Sequence, residues 1–202
     1  KMAEEVGFIG EISKWVIESS IKQIKEWAEW GLAVKVAVNL SLLDLKDDSI
    51  IKFTVSCLKF YGVDPSFIEF ELTERSIVED EHRIMDALKR IKEAGIKLSL
   101  DDYGSGYNSL NYLANPILYF DHIKIDKSFI ENITQEQGKL LYEGIIKTAH
   151  VLGIKVIAEG VETEEQVNIL RAIKCDYAQG YYFYKPMPKD ELLYHLKIFT
   201  EY

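Results

Sequence analysis

Cysteine is scarce: the 202 residues hold two, Cys57 and Cys175. Both lie among apolar neighbours, which excludes a disulfide framework and predicts buried free thiols in a reducing compartment. An excess of basic charge is also lacking. Lys and Arg total 24 against 33 Asp and Glu, a net charge of −9. That excludes the basic face a nucleic-acid polymer requires, while a small nucleotide stays admissible because metal ions neutralise phosphates locally. No run approaches the roughly 18 apolar residues of a membrane span, so no membrane contact is expected, and no stretch reads as a signal peptide. The expectation is a cytoplasmic domain. The four histidines, His82, His122, His150 and His195, share no metal-ligand spacing, which leaves a histidine-based metal centre without support.

What is present is ordinary in amount and specific in order. The chain is 48% hydrophobic and 28% charged, as in a soluble globular domain of this size. Its middle is organised around Asp101 and Asp102, which follow an apolar run at 96–100 and precede Gly104-Ser105-Gly106. Adjacent acids repel, and a buried carboxylate is costly unless it is paired or holds a metal. Similar runs at 34–40, 67–74, 122–126, 155–159 and 177–183 read as further strands. Between them apolar residues recur at helical spacing. Phe8, Ile12, Trp15, Val16, Ile21 and Ile24 mark a helix ending at Gly31. Others are expected over 50–61, around Ile84, Leu88 and Ile91 as far as Gly95, over about 109–116, from Asp126 to Gly153, from the capping box Thr163-Glu164-Glu165-Gln166 to about Lys174, and over 190–199. Trp15, Trp27 and Trp30 are expected to pack the first helix on the sheet, and Tyr181, Tyr182, Phe183 and Tyr184 to pack within the last strand.

Strict alternation of strand and helix predicts a parallel sheet. A polar residue stands at or beside each strand's end: Asn39, Glu71, Asp101, Lys124, Glu159 and Gln179, separated by 20 to 35 residues. A (β/α)8 barrel averages about 31 residues per unit. The segment starting at Gly95 and ending at Asp101 also parallels the one from Gly153 to Glu159, at an offset of 58 residues. In such a barrel all strand C-termini share one face, so these six polar residues are expected to converge.

At this point the chain resembles the EAL-domain family of cyclic di-GMP phosphodiesterases. The resemblance rests on Val38-Asn-Leu-Ser41, Glu71-Leu-Thr-Glu74, Asp101-Asp-Tyr-Gly-Ser-Gly-Tyr107, Ile123-Lys-Ile-Asp126, Ala158-Glu-Gly-Val-Glu-Thr163 and Ala178-Gln-Gly-Tyr181. It covers essentially the whole chain, with Tyr103 standing where phenylalanine is usual. It implies a modified TIM barrel that hydrolyses the bacterial second messenger cyclic di-GMP to linear pGpG. It further implies two divalent ions, Mg or Mn, with Asn39, Glu71 and Asp101 holding one and Asp101, Asp102 and Glu159 the other. Lys124 would orient the attacking water and stabilise developing negative charge. Gln179 would complete the polar floor, Glu74 would fasten the loop 103–108, and Glu162 would support the site. The resemblance also implies a homodimer fused to other signalling domains. Phosphodiester hydrolysis suits this set, because two ions about 3.5–4 Å apart clamp the in-line oxygens and lower the pKa of a bound water.

One departure accompanies the match. The Glu-Ala-Leu motif that names the family, with its metal-binding glutamate and the arginine after it, belongs on a strand upstream of residue 1. The nearest string, Asp86-Ala-Leu88, lies on an amphipathic helical pattern. The reading is a single domain over 1–202, N-terminally truncated, with six strands and an open edge at 34–40. Either further residues stand upstream or the protein is a naturally shortened, inactive relative. Three function classes stay open: the phosphodiesterase, a catalytically inactive domain serving as cyclic di-GMP receptor or protein-interaction module, and a barrel enzyme acting on another phosphate ester.

Overall fold

The computed structural model describes residues 8–45, 48–74, 81–104 and 119–200. The helix read at 109–116 and most of the loop 103–108 lie outside the described residues. Six strands form one parallel sheet in the order β1-β2-β3-β4-β5-β6: β1 (Val36–Asn39), β2 (Ile68–Thr73), β3 (Lys97–Tyr103), β4 (His122–Ile125), β5 (Lys155–Ala158) and β6 (Tyr177–Ala178). Sequence order equals spatial order, so the sheet curls into part of a barrel. The helices are α1 (Ile9–Glu29), α2 (Ser49–Tyr61), α3 (Glu81–Glu93), α4 (Lys127–Ile130), α5 (Glu136–Val151), α6 (Glu164–Ala172) and α7 (Lys189–Thr200).

Successive strand side chains point to opposite faces, and here the two faces differ in kind. Ile68, Phe70 and Leu72 of β2, Leu98 and Leu100 of β3, Ile123 and Ile125 of β4, and Val156 and Ala158 of β5 are all buried. They join Ile17, Ile21 and Ile24 of α1, Leu88 and Ile91 of α3, and Tyr142 and Ile146 of α5 in one hydrophobic core. Burying each such side chain contributes about 1.5–3 kcal/mol, so the helical layer is fastened to the sheet along every strand. The residues in alternate register, Glu69 and Glu71, Ser99 and Asp101, and His122 and Lys124, share the opposite, concave face. A core on one side and a polar surface on the other is what directs the site to the inside of the curl.

Local sequence explains most boundaries. Gly62 takes the left-handed conformation after α2 and its N–H returns to the Leu58 and Lys59 carbonyls. Thr163 and Gln166 form the expected reciprocal capping box at the start of α6. Several expectations are corrected. The sixth strand covers Tyr177–Ala178 alone, because Gly180 turns the chain and residues 181–183 form a turn. Tyr181, Tyr182, Phe183 and Tyr184 are therefore exposed rather than packed in a sheet. Trp27 is buried, but Trp15 and Trp30 are 70% and 52% exposed, since they fall off the Ile17-Ile21-Ile24 stripe that meets the core. The segment after β4 is two helices rather than one, α4 and α5. Cys57 and Cys175 are free and half-buried, and burial pushes the Cys175 thiol up to about 11.

Candidate active site

β3 and β4 pair in regular register through Leu100↔Ile123, and resume at Tyr103↔Ile125. Between those pairs β3 spends two residues, Asp101 and Asp102, where β4 spends one, Lys124. This is a β-bulge, and Asp102 accommodates it at φ 54, a left-handed conformation that aspartate tolerates better than most residues. In a regular strand neighbouring side chains would diverge. The bulge instead lets both carboxylates reach one place: oxygens of Asp101, Asp102 and Glu159 lie within 4.8 Å of one another.

Lys124 stands opposite the bulge. Its Nζ is 3.0 Å from Glu71 Oε1, 2.9 Å from Asp101 Oδ1 and 2.9 Å from Glu159 Oε1. Gln179 Nε2 donates to that same Glu159 Oε1 at 2.6 Å. Backbone bonds beyond the strand ends hold these residues in place: Glu159 N–H donates to the Ile125 carbonyl at 3.3 Å, and Gln179 N–H to the Ala158 carbonyl at 2.8 Å. Asn39 is opposite Glu71 in the β1–β2 register, and the Leu40 N–H donates to the Glu71 carbonyl at 3.0 Å. The Asn39 side chain is exposed. Glu74, itself buried, accepts the Gly104 N–H through Oε2 at 3.0 Å, tying β2 to the chain just past the bulge.

Electrostatics follow from three carboxylates on one ammonium, with Asp102 beside them. Burial raises the pKa of Glu71 and Glu159, and Lys124 offsets this only in part. Burial also raises Asp102, with the Asp101 and Asp126 charges adding to it. Burial alone raises Glu74 against the Gly104 hydrogen bond. For Lys124 burial pulls downward, yet bonds to Glu159 and Asp101 and the charge of Glu71 outweigh it, so the ammonium is held above the ordinary lysine value. The site is short of positive charge, and its donors are hard oxygens, the set that Mg2+ and Mn2+ prefer. Asp101, Asp102 and Glu159 therefore fit a divalent ion, with Glu71 joined to them through Lys124.

A cavity of about 630 Å³ opens beside these acids. Asp102, Glu159 and Gln179 form one side, Glu162 reaches its edge, and Tyr181, Tyr184, Lys127 and Lys185 contribute the remainder. The Glu162 backbone N–H donates to Gln166 Oε1 at 2.8 Å, which fixes the residue at the entry to α6. Lys127, Lys185 and Tyr184 are cavity residues that the strand-end pattern missed, because none stands at a strand terminus. Lys127 is placed by Asp126, whose carboxylate caps α4 through the Ser128 N–H at 2.9 Å. Two of the histidines are partners of acids, His122 meeting Glu69 at 2.9 Å and His150 meeting Asp176 at 2.7 Å, and His195 packs against the rings of Tyr184 and Tyr194.

The chain is similar to known proteins in both sequence and fold. The family model described as EAL domain matches residues 1–186. The chain is 35% identical to the signaling protein YkoW of Bacillus subtilis over 94% of its own length and 24% of that protein. It is 34% identical to the oxygen sensor protein DosP of Escherichia coli, covering 95% of itself and 24% of that protein. The chain thus spans about a quarter to a third of the length of the curated relatives it matches. Among solved structures, the PaMucR phosphodiesterase in complex with c-di-GMP superposes with a TM-score of 0.85 at 30% identity, over 95% of this chain and 77% of that one. An EAL domain protein from Listeria monocytogenes gives 0.83 at 32% identity, over 97% and 76%. No described helix is long and apolar enough to cross a membrane.

Proposed function

The chain belongs to the EAL domain family, and from that membership we propose that its protein is a metal-dependent phosphodiesterase converting cyclic di-GMP to linear pGpG. The observation that carries this reading is the bulge opposite Lys124, which gathers Asp101, Asp102 and Glu159 together beside that ammonium, at the mouth of a nucleotide-sized cavity. The reaction adds water to one phosphorus and breaks one P–O3′ ester bond, and the leaving 3′ oxygen gains a proton. Asp101, Asp102 and Glu159 would hold one divalent ion, and Asn39, Glu71 and Asp101 a second. Such ions, Mg or Mn, supply Lewis acidity at the phosphoryl oxygens and make a water acidic enough to attack at neutral pH.

The chain's own groups do the rest. Lys124 is held as the ammonium by the carboxylates bonded to it and donates toward the phosphoryl oxygens where negative charge develops. Lys124 also orients the attacking water, with Asp102 and Glu159 beside it, Glu159 being held by Lys124 and Gln179. Glu74 steadies the backbone past Asp102, and Glu162 the rim. Tyr181 and Tyr184 offer exposed rings for a guanine to stack on, and Lys127 and Lys185 offer charge to phosphate. The domain, residues 1–202, is read as one part of a larger cytoplasmic signalling protein, acting as a homodimer.

The test is turnover of cyclic di-GMP by the full-length protein with Mg2+ or Mn2+, beside the Lys124→Met variant. The expected result is pGpG from the wild type, and a loss on the order of 100-fold in kcat for the variant with nucleotide affinity little changed, since this donor acts mainly in the transition state. Binding without turnover in the wild type would overturn the enzymatic reading and make the domain a receptor. Turnover of another phosphate ester in place of cyclic di-GMP would reassign the substrate.

A further inference from the structure

One strand step below the site, the same two strands make a second pair. Glu69 precedes Glu71 by two residues on β2, and His122 precedes Lys124 by two on β4, so all four side chains face the concave side. Glu69 Oε1 and His122 Nδ1 are 2.9 Å apart, with side chains only 11% and 13% exposed. The strands carrying them are not neighbours, since β3 lies between them. Two sheet spacings separate them, about 9.6 Å, and no backbone bond can join them. Between them β3 presents Ser99, opposite His122 on one side and Glu71 on the other, so the Glu69–His122 contact crosses β3 obliquely, past a small side chain. On the far side the His122 ring stacks edge-on against Tyr177 of β6, centroids 5.8 Å apart. Tyr177 in turn accepts a hydrogen bond from Lys155 Nζ at 3.1 Å. This lower tier therefore links β2, β4 and β6 across the curl.

We propose that Glu69 and His122 are positioning residues for the site above them, fixing the span between β2 and β4 so that Glu71 and Lys124 stand at working separation. Three observations carry this. The β3–β4 ladder is regular at Ser99↔His122 and Leu100↔Ile123 and breaks at the next step, so the Glu69–His122 bond is a fixed span just beneath the bulge. Lys124 is shared by three carboxylates on a flexible stem and cannot set its own position, whereas an imidazole ring wedged between Glu69 and Tyr177 is rigid. Finally, a buried carboxylate is no efficient source of stability, because an apolar pair of similar volume serves as well. Its presence on the concave face is better accounted for by position than by strength.

The proposal rests on the phosphodiesterase reading for its activity arm and on the acidic donor set alone for its metal arm. In the full-length protein, Glu69→Leu breaks the bond, and Glu69→Gln keeps an acceptor for the His122 N–H without the charge. With Glu69→Leu, the Kd for Mn2+ alone is expected to rise and kcat to fall, each by about 10-fold or more, as for other residues that orient metal ligands. KM for cyclic di-GMP should stay within about threefold. Glu69→Gln should recover both losses. His122→Phe, which fills the space without donating, should repeat the Leu phenotype and supplies the result if Glu69→Leu does not fold. Wild-type Mn2+ affinity and kcat in both bond-breaking variants would overturn the proposal, as would a Gln variant as impaired as Leu. Should the wild type bind Mn2+ but not turn over cyclic di-GMP, the function reading fails and the metal arm still decides the pairing.

Discussion

Asp121 shows how much one carboxylate can fasten. It precedes β4 and accepts from Lys92 Nζ at 2.6 Å, Lys97 Nζ at 2.8 Å and the Leu98 N–H at 3.0 Å. Burial alone would raise its pKa, but the two ammoniums and the backbone N–H outweigh burial and hold it below the ordinary value. A depressed folded pKa means stability that is complete above the unfolded value of about 3.9 and lost as pH falls through the folded one. Asp121→Asn is therefore expected to cost about 2 kcal/mol at neutral pH, with the difference from wild type shrinking as pH is lowered toward about 3. Urea unfolding of both proteins at the two pH values measures it; an equal gap at both would show that shape rather than charge makes the contact. The residue scale also holds the clearest failure of sequence reading. Adjacent acids suggested a shared site, but nothing in Asp101-Asp102 announces the bulge that makes sharing possible.

At the scale of elements, β6 is the instructive case. Seven residues of apolar and aromatic character read as a strand, and two form one. The chain turns because Gly180 lies against the backbone of Val161: a Cβ built there would collide with the Val161 carbonyl oxygen. That close approach lets Val161 N–H donate to the Gln179 carbonyl and Tyr182 N–H to the Val161 carbonyl, at 3.1 and 3.0 Å. Gln179 is thereby aimed at Glu159. Gly180→Ala must displace backbone rather than a flexible side chain, and is expected to destabilise by about 1–3 kcal/mol. It should also weaken Mn2+ binding by moving Gln179 and Glu159 apart. A melting curve and a Mn2+ titration check this; unchanged Mn2+ affinity in a folded variant would show that the β5–β6 crossing does not support the acids. The capping box of α6, by contrast, was legible because both its halves lie within four consecutive residues.

For the whole molecule, the open curl sets the expectation. Among the described residues β1 and β6 are the edges of the sheet, and each is bonded on one side only. An unpaired parallel edge with free N–H and carbonyl groups is a template for another chain. Residues 1–202 expressed alone are accordingly expected to associate, as dimers or larger species, rather than remain monomeric. Sizing with light scattering across a tenfold concentration range gives the answer, and a monodisperse monomer throughout would count against this. Association by pairing at β1 should not disturb Asp101, Asp102 and Glu159, which lie toward β3 and β5.

The sequence by itself determined the alternation of strand and helix, the parallel order, the family, and the strand ends where polar residues gather. These are local or periodic signals, carried by apolar spacing and by motifs read in line. The tertiary structure alone decided which of those polar residues meet. Asp101, Asp102 and Glu159 come within reach because a bulge adds one residue to β3. Lys124 meets Glu71 across an intervening strand, and Glu69 meets His122 across the same strand. Contacts between strands that are not neighbours depend on register, twist and the size of what lies between them. None of the three is written in the spacing of a single strand, so no pattern along the chain could have paired His122 with Glu69.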